Sequence, residues 1–306
     1  MDSEPTFSKA TDLMSDYRTE AFNGTPPELY VCGEGSLRKM EIGPGVLLLL
    51  GGAPGAGKTA FAMQIVIDAL RMNGALKALV CNVEMLPRHL LDRQMARLSG
   101  IDGIEIRHRR LQAEHRARIE GAQATLNGVA DRLCFLRAPH TLERMAQAAQ
   151  TTGAKLLLFD YLQRIRSDGT QRDQRAAVNH LMSKLRDFAE SGRAVIAIAA
   201  VGRTKDKQGR TSYDAGGMNL ASFRESSELE YGADDAYILV PNGGPEKVLL
   251  KHVKSRYGAQ QDIPLNFHRP CQRFTSVDAP AQVPNTAPTA AEAELERIWN
   301  AAPGLA

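Results

Sequence analysis

The stretch VLLLLGGAPGAGKTAFAMQIVIDALRM, residues 46–72, decides the fold. Val46–Leu50 is an uninterrupted apolar run, the pattern of a strand buried on both faces. From Ala60 onward, AFAMQIVIDALRM reads as an amphipathic helix. Between them lies GAPGAGKT, residues 52–59, so the order is strand, GxxxxGK[ST], helix. Glycines let successive backbone N–H groups converge on phosphate oxygens, and the helix N-terminus adds positive potential. The spacing predicts a cradle for the phosphates of ATP built from Gly52, Ala53, Pro54, Gly55, Ala56, Gly57, Lys58, Thr59 and Ala60. Lys58 is expected to reach the β- and γ-phosphates, and the Thr59 hydroxyl to ligate Mg²⁺.

Outward from this core the chain alternates short apolar runs with longer amphipathic stretches. The runs are Val46–Leu50, Ala78–Cys81, Leu133–Leu136, Leu156–Phe159, Ala194–Ala199, Ala236–Val240 and Val248–Leu250. Helix-like segments fall at 58–73, 87–99, 112–128, 141–152 and 174–191. Such alternation predicts an α/β fold with a mostly parallel sheet flanked by helices. The closer spacing of the last runs predicts antiparallel strands at one edge. Before this unit, Leu13, Met14, Tyr17 and Phe22 share a face of a short helix ending at Gly24-Thr25-Pro26-Pro27. That face is expected to pack on the core or on a neighbouring subunit. The organisation expected is therefore an N-terminal segment, 1–35, an ATPase domain, 36–277, and a Pro/Ala-rich linker with a short terminal helix, 278–306.

A carboxylate is needed beside Thr59 to hold the metal, and LLLFD, residues 156–160, is an apolar strand ending in Asp160. Its carboxyl end is expected to face the same crevice as the cradle. A further acid, Glu84, lies at the end of the strand ALVCNVEM. A carboxylate there can polarise an attacking water, but a surface Glu after a strand is common, and the position alone does not assign that role. Composition narrows the partners. The 38 Lys and Arg against 35 Asp and Glu leave a net charge of only +3, so nucleic acid must be met by local clusters rather than a global field. The four cysteines are widely separated, without zinc or redox spacing, as in a reduced cytoplasmic protein. No apolar run approaches the ~20 residues that span a bilayer, so no membrane role is expected.

Three blocks together, VCNVEMLP (80–87), FDYLQRI (159–165) and FRESSELEYGADDAYIL (223–239), resemble the C-terminal ATPase domain of DnaB-type replicative helicases. The resemblance covers about residues 36–277, including a helical insert with IRHRRL (106–111). It implies a RecA-like P-loop NTPase fold, with Glu84 as the catalytic glutamate and Asp160 as the Walker B aspartate. Lys254 and Arg256, in KHVKSRYG, match the pair that reaches into the next subunit's site and stabilises charge on the γ-phosphate. Arg224, Glu225 and Ser226 match the central-channel loop that holds single-stranded DNA, and Arg203 opens a basic stretch just before it. The implied assembly is a homo-oligomeric, hexameric ring with a replication or mobile-element partner.

The chain departs from that family at defined places. A Ser-Gln pair normally closes the strand before the channel loops, the glutamine sensing the γ-phosphate; here Ala199 and Ala200 stand there. A methyl group donates no hydrogen bond. Ser227 replaces a channel-loop glycine, and the family's N-terminal primase-interacting domain is expected to be missing, with the short segment around Leu13–Phe22 in its place as a docking helix. Two functions are therefore expected to compete: an ATP-driven translocase or helicase on single-stranded DNA, and a regulatory or loading ATPase that does not unwind.

Overall fold

The computed structural model describes residues 9–14, 17–162, 174–202, 204–205, 211–212, 217–223 and 232–280. Its strands are β1 (Leu47–Gly52), β2 (Ala78–Asn82), β3 (Leu133–Phe135), β4 (Leu156–Asp160), β5 (Ala194–Ile198), β6 (Thr204–Lys205), β7 (Thr211–Ser212), β8 (Asp235–Pro241), β9 (Lys247–Ser255), β10 (Ile263–His268) and β11 (Arg273–Ser276). Nine of them form one sheet in the order β11-β10-β9-β8-β1-β5-β4-β2-β3, while β6 and β7 pair separately. From β8 to β3 neighbouring strands are parallel; β9, β10 and β11 extend the sheet antiparallel. The expected sheet is thus present, and its antiparallel edge includes β10 and β11, which the apolar runs did not mark.

Both faces of β1 are covered. Leu48 and Leu50 enter the hydrophobic cluster formed with α3 (Lys58–Met72), and Leu47 and Leu49 enter the opposite cluster, with α8 (Gln174–Glu190). This split follows from the period-two alternation of side chains along a strand. The remaining helices are α4 (Pro87–Ser99), α5 (Gly103–Arg107), α6 (Arg116–Ala130) and α7 (Leu142–Thr152). The expected helix at 112–128 begins later, because Ala113–His115 forms a separate 3-10 turn.

At the amino end, the expected single helix is two short ones, α1 (Ala10–Met14) and α2 (Tyr17–Asn23), stopping at Gly24. Met14, Tyr17 and Phe22 are 59%, 56% and 81% exposed, so these side chains do not pack on the chain's own core. At the other end Asp278 accepts hydrogen bonds from the Ser36 N–H and hydroxyl at 3.0 and 2.6 Å. The first residue assigned to the linker is therefore tied to the folded unit. The expected terminal helix after Thr289 lies outside the described residues. The four cysteines are free, and burial pushes the Cys32 and Cys81 thiols up to about 12.

The edge strand is held by a helix as well as by its neighbouring strand. Gln64, on α3, donates from Nε2 to the Phe274 carbonyl at 2.7 Å and accepts the Phe274 N–H on Oε1 at 3.0 Å. A buried carboxamide thus copies both halves of a strand pairing and joins β11 to the helix that follows the glycine loop. Gln64→Leu would leave two buried backbone groups unsatisfied. It is expected to destabilise the fold by about 2–4 kcal/mol in chemical denaturation.

Candidate active site

Parallel strands β1, β4, β2 and β5 bring their carboxyl ends together, and the loops that leave those ends build one crevice. Gly55 and Gly57 adopt φ of +76° and +91°, a left-handed conformation that favours glycine. At Gly57 space makes the same demand, since a Cβ would lie 2.8 Å from the Phe274 ring. Phe274 stacks on Phe267 at 4.0 Å and meets Phe61 edge-on at 5.2 Å, so the carboxyl-terminal hairpin forms the floor under the loop. Gly57 caps α3 without any side-chain hydrogen bond, leaving first-turn N–H groups to take an anion.

Lys58 lies across this loop, donating to the carbonyls of Gly52 at 2.8 Å and Ala53 at 3.1 Å. Burial pulls its pKa down, while the charges of Asp160 and Glu84 push it back. Asp160, 2% exposed at the end of β4, accepts a hydrogen bond from the Thr59 side chain. Its pKa is raised to about 6, chiefly by burial and further by Glu84, against the opposing pull of Thr59, Lys58 and Arg93. Two hard oxygen donors, Thr59 and Asp160, suit Mg²⁺, which binds few protein ligands and completes its shell with phosphate and water. Among the described residues no group of three His, Cys, Asp or Glu side chains is arranged for a metal of its own. The donors present therefore fit a nucleotide-bound Mg²⁺.

Glu84 sits just past β2, in a turn made by Asn82. The Asn82 Oδ1 accepts the N–H groups of Glu84 at 3.0 Å and Met85 at 2.7 Å, and its Nδ2 donates to Asp160 at 2.6 Å. Lys58, Thr59, Glu84 and Asp160 line a single cavity of about 490 Å³, and Ala200 forms part of its wall. Four lining residues, Met85, Arg93, Arg269 and Gln272, are shared with an adjoining cavity of about 670 Å³ between α4, α5 and the β10–β11 turn. Arg269 spans the junction, donating to the Gly55 carbonyl at 3.2 Å with its guanidinium 4.9 Å from the Phe267 ring centre.

Asn82, Arg93 and Arg269 were not singled out by sequence reasoning. Asn82 had a signal, a polar side chain closing an apolar strand one residue past Cys81. Arg93 and Arg269 had none, since only tertiary packing separates them from other arginines on a helix and in a turn.

Lys254 and Arg256 are absent from the lining of this cavity. They lie where β9 pairs with the start of β8, Asp235 opposite Ser255, at the end of the parallel strands away from the glycine loop. Arg256 pairs with Asp234 at 2.9 Å. Asp234 is fully buried and is also held by Arg186, at 2.8 and 3.0 Å, and by the Leu47 N–H at 2.8 Å. The expected nucleic-acid residues Arg203, Arg224, Glu225 and Ser226 lie outside the described residues.

Comparison with solved structures gives the fold. One structure, described as an ATPase domain, matches with a TM-score of 0.74 at 18% identity, covering 89% of this chain and all of that one. A DnaB-like replicative helicase, solved to describe its interactions with primase, also gives 0.74 at 18% identity, covering 88% of this chain and 67% of its own. Among sequence relatives, a probable plasmid replicative DNA helicase of Chlamydia psittaci is 22% identical over 276 residues, 86% of this chain and 58% of its own length. The replicative DNA helicase DnaB of Geobacillus stearothermophilus is 23% identical over 253 residues, 78% of this chain and 54% of its own. The chain thus spans a little over half the length of these relatives. Residues 39–276 match the family described as the DnaB-like helicase C terminal domain, and with most of its length inside that match the chain belongs to this family.

Proposed function

We propose that this chain hydrolyses ATP as the motor domain of a DnaB-like helicase or translocase, acting in the cytoplasm as a hexameric ring on single-stranded DNA. The observation that carries the reading is the convergence of Lys58, Thr59, Glu84 and Asp160 on one cavity at the sheet's carboxyl edge. In this reading the backbone from Gly52 to Ala60 cradles the phosphates, and Lys58 exchanges the carbonyls of Gly52 and Ala53 for phosphate oxygens. Thr59 and Asp160 would hold Mg²⁺, which would supply positive charge against the charge of the phosphates. Glu84 takes the proton of the attacking water. The adjoining cavity beside Arg93 and Arg269 receives the ribose and base.

The reading also requires a second copy. Lys254 and Arg256 lie away from their own chain's cavity, as residues serving a neighbour's site must. Arg256 can leave Asp234 at little cost. The Asp234 carboxylate keeps a bidentate Arg186 and the Leu47 N–H, so no buried charge is stranded. The proposed DNA contacts are Arg203, Arg224, Glu225 and Ser226, and the proposed partner is a replication or mobile-element protein. A second reading, a loading or regulatory ATPase without unwinding, is favoured by Ala200 in the cavity wall, where the family's sensor glutamine is replaced.

ATP hydrolysis measured with and without single-stranded DNA separates the two. The motor reading expects stimulation by DNA, lost in Lys58→Ala and Arg256→Ala, and partly restored when the two variants are mixed. Stimulation absent for every nucleic acid tested would leave the regulatory reading. A second prediction concerns Asp160 in the metal-free protein. Its folded pKa, about 6, lies above the ordinary carboxylate value, so its ionisation opposes folding at neutral pH and this penalty disappears as pH falls toward 4. Asp160→Asn should raise stability by about 2 kcal/mol at pH 8, with little gain near pH 4, in paired denaturation curves without Mg²⁺.

A further inference from the structure

We propose that Asn82 is a positioning residue that locks the water-activating Glu84 to the metal-side Asp160, an inference that rests on the hydrolytic reading above. Asn82 and Asp160 are register partners on the adjacent strands β2 and β4. The ladder continues one step further, with the Val83 N–H donating to the Asp160 carbonyl at 2.9 Å. Beyond that point the chain must leave the sheet and carry Glu84 over the glycine loop. The Asn82 carboxamide performs this departure. Its oxygen gathers the N–H groups of Glu84 and Met85 into a tight turn, while its nitrogen holds the Asp160 carboxylate.

The orientation of the amide is determined by its partners. Turned over, its NH₂ would face two N–H donors and its oxygen would face a carboxylate, replacing three attractive contacts with three repulsive ones. Asn82 is only 8% exposed, so water does not readily substitute for those contacts. One side chain therefore ties the turn carrying the proposed base to the carboxylate proposed to hold the metal. Glu84 itself is exposed at the rim, and the turn beneath it sets where the backbone carries this side chain. Misplacing a reacting group by about 1 Å costs on the order of a hundredfold in rate, which gives such a tie its value.

The test is steady-state ATP hydrolysis by the full chain with saturating Mg²⁺, comparing wild type, Lys58→Ala, Asn82→Leu and Asn82→Ser, with melting curves for each. Leucine keeps the volume and removes both donor and acceptor. Serine keeps a hydroxyl able to accept from the turn and donate to the carboxylate. Asn82→Leu is expected to lose at least about tenfold in kcat with KM for ATP changed less than about threefold, and Asn82→Ser to stay within about threefold of wild type in both. An unchanged kcat in Asn82→Leu overturns the inference while leaving the hydrolytic reading intact. So does a fall in kcat of Asn82→Ser as deep as that of Asn82→Leu, or a loss confined to KM or to the melting temperature. If wild type and Lys58→Ala hydrolyse ATP equally poorly, the hydrolytic reading fails and this inference falls with it.

Discussion

A parallel strand covered on both faces has only its ends free for chemistry, and β1 imposes that constraint on the whole domain. Leu47 and Leu49 feed one hydrophobic cluster, Leu48 and Leu50 the other, and the neighbours β5 and β8 run parallel to it. Every parallel connection must then cross a face of the sheet, so the loops leaving the carboxyl ends gather on one side. The glycine loop, the Asn82–Glu84 turn, Asp160 and Ala200 are brought together by that geometry, although they are far apart along the chain. Even the floor of the glycine loop comes from a distant hairpin, through Phe267 and Phe274 beneath Gly57.

Buried charge is handled differently at the two ends of the sheet. At the carboxyl end Asp160 is left under-compensated, with one carboxamide and the Thr59 side chain as close partners, and its pKa rises accordingly. Burial thus outweighs the opposing pull of Thr59, Lys58 and Arg93 on this carboxylate. At the amino end Asp234 is over-supplied, with two guanidinium groups and a backbone N–H around one carboxylate. The surplus falls on Arg256, whose side chain is 44% exposed. The two buried carboxylates at opposite ends of the sheet thus differ in how far their own chain compensates them.

The sequence by itself determined the glycine loop and the strand and helix on either side of it. Local periodicity and the glycine spacing are properties of contiguous residues, so no tertiary knowledge is needed to read them. The same holds for Asp160 at the end of an apolar run. The mostly parallel sheet was legible in the same periodicity, whereas tertiary structure alone decided the edge strands β10 and β11 and the polar contacts between distant residues. Strand β10 alternates, with Ile263, Leu265 and Phe267 buried between exposed neighbours, too short a pattern to stand out against loops. The double hydrogen bond of Gln64 to Phe274, the bridging role of Asn82 and the pairing of Arg256 with Asp234 each join residues distant in sequence, and a polar side chain carries no local sign of which partner the fold will bring to it.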